Sequence, residues 1–199
     1  MTLPNKLTLG RIFAVPVMVV IACVPYLNNH NIFLNVSLAN FINVIIFALA
    51  SFTDFLDGKI ARKHNLVTTF GKFADPLADK MLVLVSFLIL MIQNHKAYFG
   101  LAGLSVVPMW GVAIILIREL MVSGIRLVAA QKGEVIAAGM SGKVKTFVTM
   151  IALIFLFMSG IHNVVAIIGL ILMYISIILT IYSGGVYLYN SRKLIFESI

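Results

Sequence analysis

The sequence is poor in acidic residues and in cysteine. Its 199 residues include seven Asp and Glu, only 11% are charged, and Cys23 is the single cysteine. One cysteine excludes an internal disulfide and a cysteine-based metal site, so we interpret it as a small apolar residue. The histidines do not show the spacing of a zinc site. They are His30, His64, His95 and His162.

Apolar residues make up most of the chain. They account for 61% of it, whereas soluble domains contain roughly 45–50%. Apolar runs continue along the whole length, and no linker-like, repetitive or low-complexity segment separates them. These features predict an all-α integral membrane protein with a single domain over residues 1–199.

Six runs of about 20 apolar residues predict six transmembrane helices. The runs cover residues 8–27, 33–62, 70–93, 105–130, 143–160 and 163–189. The first resembles a signal peptide, but no small-residue cleavage pattern follows it, so we predict a membrane helix there. With six spans, 14 of the 15 basic residues lie on the side of both termini and only Lys96 lies opposite. The positive-inside rule therefore predicts cytoplasmic termini.

Four of the seven acidic residues cluster at the cytoplasmic ends of the second and third predicted helices. They are Asp54, Asp57, Asp75 and Asp79. A carboxylate near the bilayer centre costs roughly 2.5–3.5 kcal/mol, so simple packing does not explain this cluster. Residues three or four apart share a helix face, so each helix presents two acids on one stripe. Carboxylate oxygens select hard divalent cations, and we expect Mg²⁺ or Mn²⁺ here.

Small residues and an arginine accompany the acids. Gly58 and Gly71 leave room for a bulky group between the helices, and Arg62 suits phosphate recognition. The combination indicates a site for a metal ion, a phosphate and a nucleotide.

The acidic array also has a specific spacing. From Asp54 to Asp79 the sequence reads D-x2-D-G-x2-A-R-x8-G-x3-D-x3-D, which resembles the signature of the CDP-alcohol phosphatidyltransferase family at every specified position. Members of that family transfer a phosphatidyl group from a CDP-linked lipid to an alcohol, release CMP and are typically homodimers with six membrane helices. The resemblance implies that one or two metal ions bind to Asp54, Asp57, Asp75 and Asp79.

The same resemblance implies further roles. It makes Asp79 the general base of the transfer. It assigns the binding of the CDP-linked lipid to Asn5, Thr8, Gly58, Ala61, Arg62 and Gly71.

Three further segments are similar to one bacterial branch of the family, which uses CDP-diacylglycerol as donor and glycerol 3-phosphate as acceptor. They are Pro4-Asn5-x-x-Thr8-x-x-Arg11, Ile117-Arg118-Glu119-x6-Arg126 and Gly142-Lys143-x-Lys145-Thr146. This similarity implies a phosphatidylglycerophosphate synthase that acts at the cytoplasmic face of a bacterial plasma membrane.

Basic residues in these segments support a phosphate-bearing acceptor. Arg118 and Arg126 are about two helical turns apart, and Lys143 and Lys145 begin the next predicted helix. Four cations near one membrane surface need an anion, which the acceptor phosphate supplies, while anionic lipid headgroups are the alternative. We expect Glu119 to pair with one of these cations. The net charge of +8 does not indicate nucleic-acid binding, because the basic residues form no continuous stripe.

Two other functions stay open on the sequence alone. A family member can use another acceptor, either phosphatidylglycerol, as cardiolipin synthases do, or inositol phosphate. A divalent-cation transporter also places acids in the membrane. It would distribute them through the membrane depth, however, whereas these acids lie towards one surface, and Arg62 would repel a cation.

Overall fold

The computed structural model describes residues 3–63, 69–93, 107–131 and 139–192. Side chains are described for these residues except 3, 4, 33, 54–63, 69–73, 127, 130 and 131. Within this part of the chain the elements, in order, are α1 (Leu3–Cys23), α2 (Pro25–Asn29), β1 (Asn31–Phe33), β2 (Val36–Ser37), α3 (Leu38–Lys63), α4 (Thr69–Gln93), α5 (Met109–Gln131), α6 (Met140–Phe157) and α7 (Asn163–Asn190).

The predicted all-α membrane architecture is confirmed. Three described helical segments are long and apolar enough to cross a membrane, and a shorter apolar segment, Leu38–Thr53, forms the first part of α3. The three long segments are Asn5–Cys23, Met140–Phe157 and Asn163–Asn190. Each of the six predicted runs overlaps one of the long helices α1, α3, α4, α5, α6 and α7.

The start of the second predicted helix was wrong. Helix α3 begins at Leu38 rather than at residue 33, because the preceding apolar residues form a small antiparallel hairpin in which Phe33 pairs with Val36. Leu34 turns the hairpin with a φ of 52°. The amide of Asn40 then donates to the Ser37 hydroxyl over 3.2 Å, which caps the first turn of α3.

A glycine between α6 and α7 fixes the position of this hairpin. The Asn35 amide donates to the Gly160 carbonyl over 3.2 Å. A Cβ atom at Gly160 would collide with the Asn35 carbonyl group, so only glycine permits this close approach. The hairpin thereby connects the α1–α3 end of the chain to the turn between α6 and α7.

Helix α4 occupies a central position. It packs against α1, α3, α5 and α6, while α6 packs extensively on α7, and α5 also contacts α7. Fully buried apolar side chains join these helices into one core, among them Met18, Phe47, Leu82, Leu153 and Met173. Because α4 is surrounded by other helices, polar side chains on different faces of it meet different partners.

Candidate active site

The first half of the acidic motif lies in the last turns of α3. Residues 54–63 are helical, so Asp54 and Asp57 are separated by nearly one turn, as the sequence predicts. Their side chains lie outside the described residues. The same holds for the side chains of Gly58, Ala61 and Arg62 on α3 and of Gly71 on α4.

The second half of the motif faces α1. Asp75 and Asp79 are one turn apart on α4, and each accepts a hydrogen bond from a buried side chain of α1. Thr8 donates to Asp75, and the Arg11 guanidinium donates to Asp79 while its Nη2 lies 3.7 Å from Asp75 Oδ1. Thr8 and Arg11 are only 1% and 2% exposed, so α1 holds both donors rigidly against the acids.

The contact with Arg11 was not foreseen from the sequence. Its signal is the Thr8-x-x-Arg11 spacing, which places both side chains on one face of α1. Asn5 lies one turn earlier on the same helix and is partly buried. The structure therefore brings together part of the predicted donor-lipid residues of α1 and the acids of α4.

The two described acids fit the expected divalent cation. Asp75 and Asp79 keep 45% and 34% of their side-chain area exposed, so a ligand can still reach them. Carboxylate oxygens are suitable ligands for Mg²⁺ and Mn²⁺. No group of three or more potential ligands occurs among the described side chains, which do not include Asp54 and Asp57.

A second polar region lies on another side of α4. A cavity of about 810 Å³ opens between α4, α5, α6 and α7, with lining residues from α3 as well. Three of the predicted acceptor-binding residues, Arg118, Arg126 and Lys143, line it. Lys80 of α4 lines the same cavity. The cavity wall continues along α6 with apolar side chains such as Phe147 and Met150.

Arg118 is oriented by three neighbouring groups. Its Nη1 donates to Glu119 Oε1 over 2.9 Å, and its Nη2 donates to Ser183 Oγ over 3.1 Å. Gly184 makes room for the side chain, because a Cβ atom there would lie 3.0 Å from Arg118 Cγ. The guanidinium is therefore held from both α5 and α7.

Lys145 differs from the other predicted acceptor-binding cations. It is 3% exposed and its Nζ donates to Glu119 Oε1, whereas the cavity is lined by Lys143, two residues earlier on α6. Residues two apart point about 200° apart around a helix, so the two lysines cannot face the same space. Glu119 thus links Lys145 to Arg118, which lines the cavity.

Thr149 connects the turn of α6 that carries Lys145 to α7. The Thr149 hydroxyl donates to the Lys145 carbonyl over 2.8 Å and also bonds to the Ser176 hydroxyl of α7. The Arg126 guanidinium, which also lines the cavity, lies 5.7 Å from the centre of the Tyr187 ring of α7. These contacts make α7 a common support for both ends of the basic region.

Comparison with known proteins identifies the family of this chain. The family model described as CDP-alcohol phosphatidyltransferase matches residues 1–182. A CDP-diacylglycerol–glycerol-3-phosphate 3-phosphatidyltransferase of Bacillus subtilis is 45% identical over 156 residues, 75% of this chain and 73% of that protein. One of the same name from Rickettsia felis is 38% identical over 195 residues, 96% of both chains. A probable phosphatidylglycerophosphate synthase of Mycobacterium tuberculosis is 36% identical over 191 residues, 96% of this chain and 82% of that protein. The chain therefore belongs to the CDP-alcohol phosphatidyltransferase family.

Proposed function

We propose that this protein transfers the phosphatidyl group of CDP-diacylglycerol to sn-glycerol 3-phosphate, which gives phosphatidylglycerophosphate and CMP. The observation that carries this proposal is the position of α4 between two complementary regions. Acids of the family motif occupy one side of the helix, and a cavity lined by Arg118, Arg126 and Lys143 opens on a different side. The printed names of the bacterial relatives support the same donor and acceptor.

The reaction is a displacement at the lipid-side phosphorus of the donor. The 1-hydroxyl oxygen of glycerol 3-phosphate forms a new bond to that phosphorus, and the bond from phosphorus to the bridging oxygen of CMP breaks. Asp79 accepts the hydroxyl proton as the general base. Its carboxylate is oriented by Arg11 and stays partly exposed, so a substrate can reach it.

The metal site is formed by Asp54, Asp57, Asp75 and Asp79. When bound there, one or two Mg²⁺ or Mn²⁺ ions would neutralise charge on the diphosphate. Thr8 keeps Asp75 in a fixed orientation through its hydrogen bond, so α1 contributes to the geometry of the acids.

The donor nucleotide is bound by small and basic residues close to these acids. We assign this role to Asn5 and Thr8 of α1, together with Gly58, Ala61, Arg62 and Gly71. Thr8 contacts the acidic site directly, which supports a position of the diphosphate between α1 and α4.

The acceptor phosphate is bound in the basic cavity. Arg118, Arg126 and Lys143 line it and contact the phosphate, whereas Lys145 supports Arg118 through Glu119. Guanidinium groups suit this role because their planar donors match phosphate oxygens.

We further propose that residues 1–199 form one domain with six membrane spans and with both termini in the cytoplasm. The distribution of the basic residues supports this topology. The substrates then meet at the cytoplasmic face of a bacterial plasma membrane, and the protein functions as a homodimer.

The test is CMP release by the purified protein in detergent with CDP-diacylglycerol and Mg²⁺ or Mn²⁺, with and without glycerol 3-phosphate. We expect release that requires glycerol 3-phosphate and stops when a chelator removes the metal. Release only with phosphatidylglycerol or inositol phosphate would refute the acceptor assignment, and the absence of release with every acceptor would refute the transferase function.

A further inference from the structure

Lys80 is a cation of the basic cavity that has no role in the preceding assignments. It follows Asp79 on α4, but successive residues turn by about 100° around a helix, so its side chain leaves the acidic face. Its ammonium donates to the Ser123 hydroxyl of α5, and it lines the cavity together with Arg118 and Lys143.

Glu119 attracts the Lys80 ammonium, but Arg118, Arg126 and Lys145 repel it, so the described groups around Lys80 leave an excess of positive charge. Among the described side chains Lys80 forms no salt bridge, whereas Arg11 is paired with Asp79 and Glu119 is shared by Arg118 and Lys145. A cation that is partly withdrawn from water within a membrane protein is costly unless an anion accompanies it. A bound phosphate would therefore balance the charge of Lys80.

The geometry of the ammonium group leaves it able to bind a ligand. A lysine ammonium has three N–H donors, and the described residues account for one of them, the bond to Ser123. The Ser123 hydroxyl in turn donates to the Glu119 carbonyl over 2.6 Å, so α5 fixes the position of this anchor. The remaining donors can point into the cavity.

We propose that Lys80 binds the phosphate of the acceptor and determines specificity for a phosphorylated alcohol. It comes from the same helix as the general base Asp79, so it connects the phosphate-binding end of the acceptor to the site where the acceptor hydroxyl reacts. This proposal rests on the transferase function proposed above. We assign Lys80 to the phosphate of the acceptor rather than to the diphosphate of the donor, although both offer the same kind of phosphate oxygens to an ammonium group.

The experiment compares Lys80→Gln and Lys80→Arg in steady-state CMP release, with glycerol 3-phosphate and CDP-diacylglycerol varied separately. Loss of a charge-assisted hydrogen bond should raise KM for glycerol 3-phosphate about tenfold or more, with KM for the donor within about twofold. Lys80→Arg should recover most of the loss. Inorganic phosphate, used as a competitor of the acceptor, should inhibit Lys80→Gln more weakly than the unsubstituted protein.

Lys6→Gln is the matched control, because it removes the same charge from an exposed residue of α1 that does not line the cavity. Its KM for glycerol 3-phosphate should not change. If Lys80→Gln does not fold, as measured by thermal unfolding in detergent, Ser123→Ala tests the same contact and should raise that KM about two- to fivefold.

Three results would overturn the proposal. They are an unchanged KM for glycerol 3-phosphate in the folded Lys80 or Ser123 variant, a rise confined to KM for CDP-diacylglycerol, and an equal rise in the Lys6 control. A failure of the transferase function itself is recognised separately, because the unsubstituted protein would then release no CMP with glycerol 3-phosphate.

Discussion

The two polar regions beside α4 differ in how their charges are matched. On the α1 side, one arginine, Arg11, faces two acids of the motif. On the α5–α7 side, Glu119 is the one acid that lines the cavity among the described residues, and its carboxylate is already bonded to Arg118 and Lys145. Among the described side chains, the first region thus has an excess of negative charge and the second an excess of positive charge.

This difference explains why one helix can serve both halves of a transfer reaction. An acidic region attracts a metal ion and can accept a proton, whereas a basic region attracts the phosphate of a substrate. Because α4 contributes Asp75 and Asp79 to one side and Lys80 to the other, the two regions have a fixed separation. Substitutions on the acidic side should change kcat, and those on the basic side should change KM for the acceptor.

The largest effect is expected for Asp79→Asn. The substitution removes the proposed base and a metal ligand but keeps the size of the side chain, so kcat should fall about 10²–10⁴-fold. KM for glycerol 3-phosphate should stay within about twofold, since the basic cavity is untouched. Steady-state CMP release measures both constants. A rise in this KM with an unchanged kcat would contradict the assignment of kcat to the acidic region and of KM for the acceptor to the basic region.

Glu119→Gln also replaces a carboxylate with an amide, but on the basic side of α4. Its main effect should be a lower free energy of unfolding. It leaves the buried Lys145 without its carboxylate partner. We expect a loss of about 3 kcal/mol in the free energy of unfolding, the low end for a broken buried pair, because Glu119 keeps 25% of its side-chain area exposed. The measurement is denaturant-induced unfolding in detergent, whose midpoint and slope give the free energy of unfolding.

A double-mutant cycle separates this pairing from other effects of the amide. Glu119→Gln combined with Lys145→Met removes both charges, so the double variant should lose less stability than the two single losses added together. Additive losses would contradict a direct interaction between the two side chains.

The sequence predicted the acidic region better than the basic one. The spacing of Asp75 and Asp79 alone places them on one helix face, and the structure has both in contact with α1. The spacing of Thr8 and Arg11 places both on one face of α1, but it does not identify Asp79 as the partner of Arg11. The two residues lie 68 positions apart in the sequence and meet only through the packing of α1 on α4.

In the basic region, helix periodicity alone distinguishes two lysines for which the sequence analysis predicts the same role in binding the acceptor phosphate. Lys143 and Lys145 are two positions apart and therefore lie on opposite sides of α6.

The hairpin before α3 has no comparable local signal in the sequence. Its apolar residues, Ile32 and Leu34 among them, continue the composition of a membrane helix, and the turn is apparent only from the backbone of Leu34.

Arg118→Ala should mainly weaken acceptor binding. The guanidinium is held towards the cavity by Glu119 and Ser183, and the loss of a charge-assisted contact to phosphate corresponds to a rise in KM for glycerol 3-phosphate of about 10- to 100-fold. Arg118→Lys should give an intermediate value, because it keeps the charge without the planar donors. Arg192→Ala is the control, since that exposed arginine stacks on Tyr189 and does not line the cavity. Equal effects of the Arg118 and Arg192 substitutions would indicate a general loss of surface charge.

The smallest effect should come from the glycine that accommodates Arg118. In Gly184→Ala the added Cβ would lie 3.0 Å from Arg118 Cγ, so the side chain must shift by a few tenths of an ångström and its bond to Ser183 weakens. We expect KM for glycerol 3-phosphate to rise about two- to fivefold, because less than a full hydrogen bond is lost. Gly185→Ala is a closely matched control, as its Cβ would have no neighbour within 4 Å. If both alanine variants changed KM equally, the effect would come from the backbone of α7, and the orientation of Arg118 would not be what sets the affinity for the acceptor.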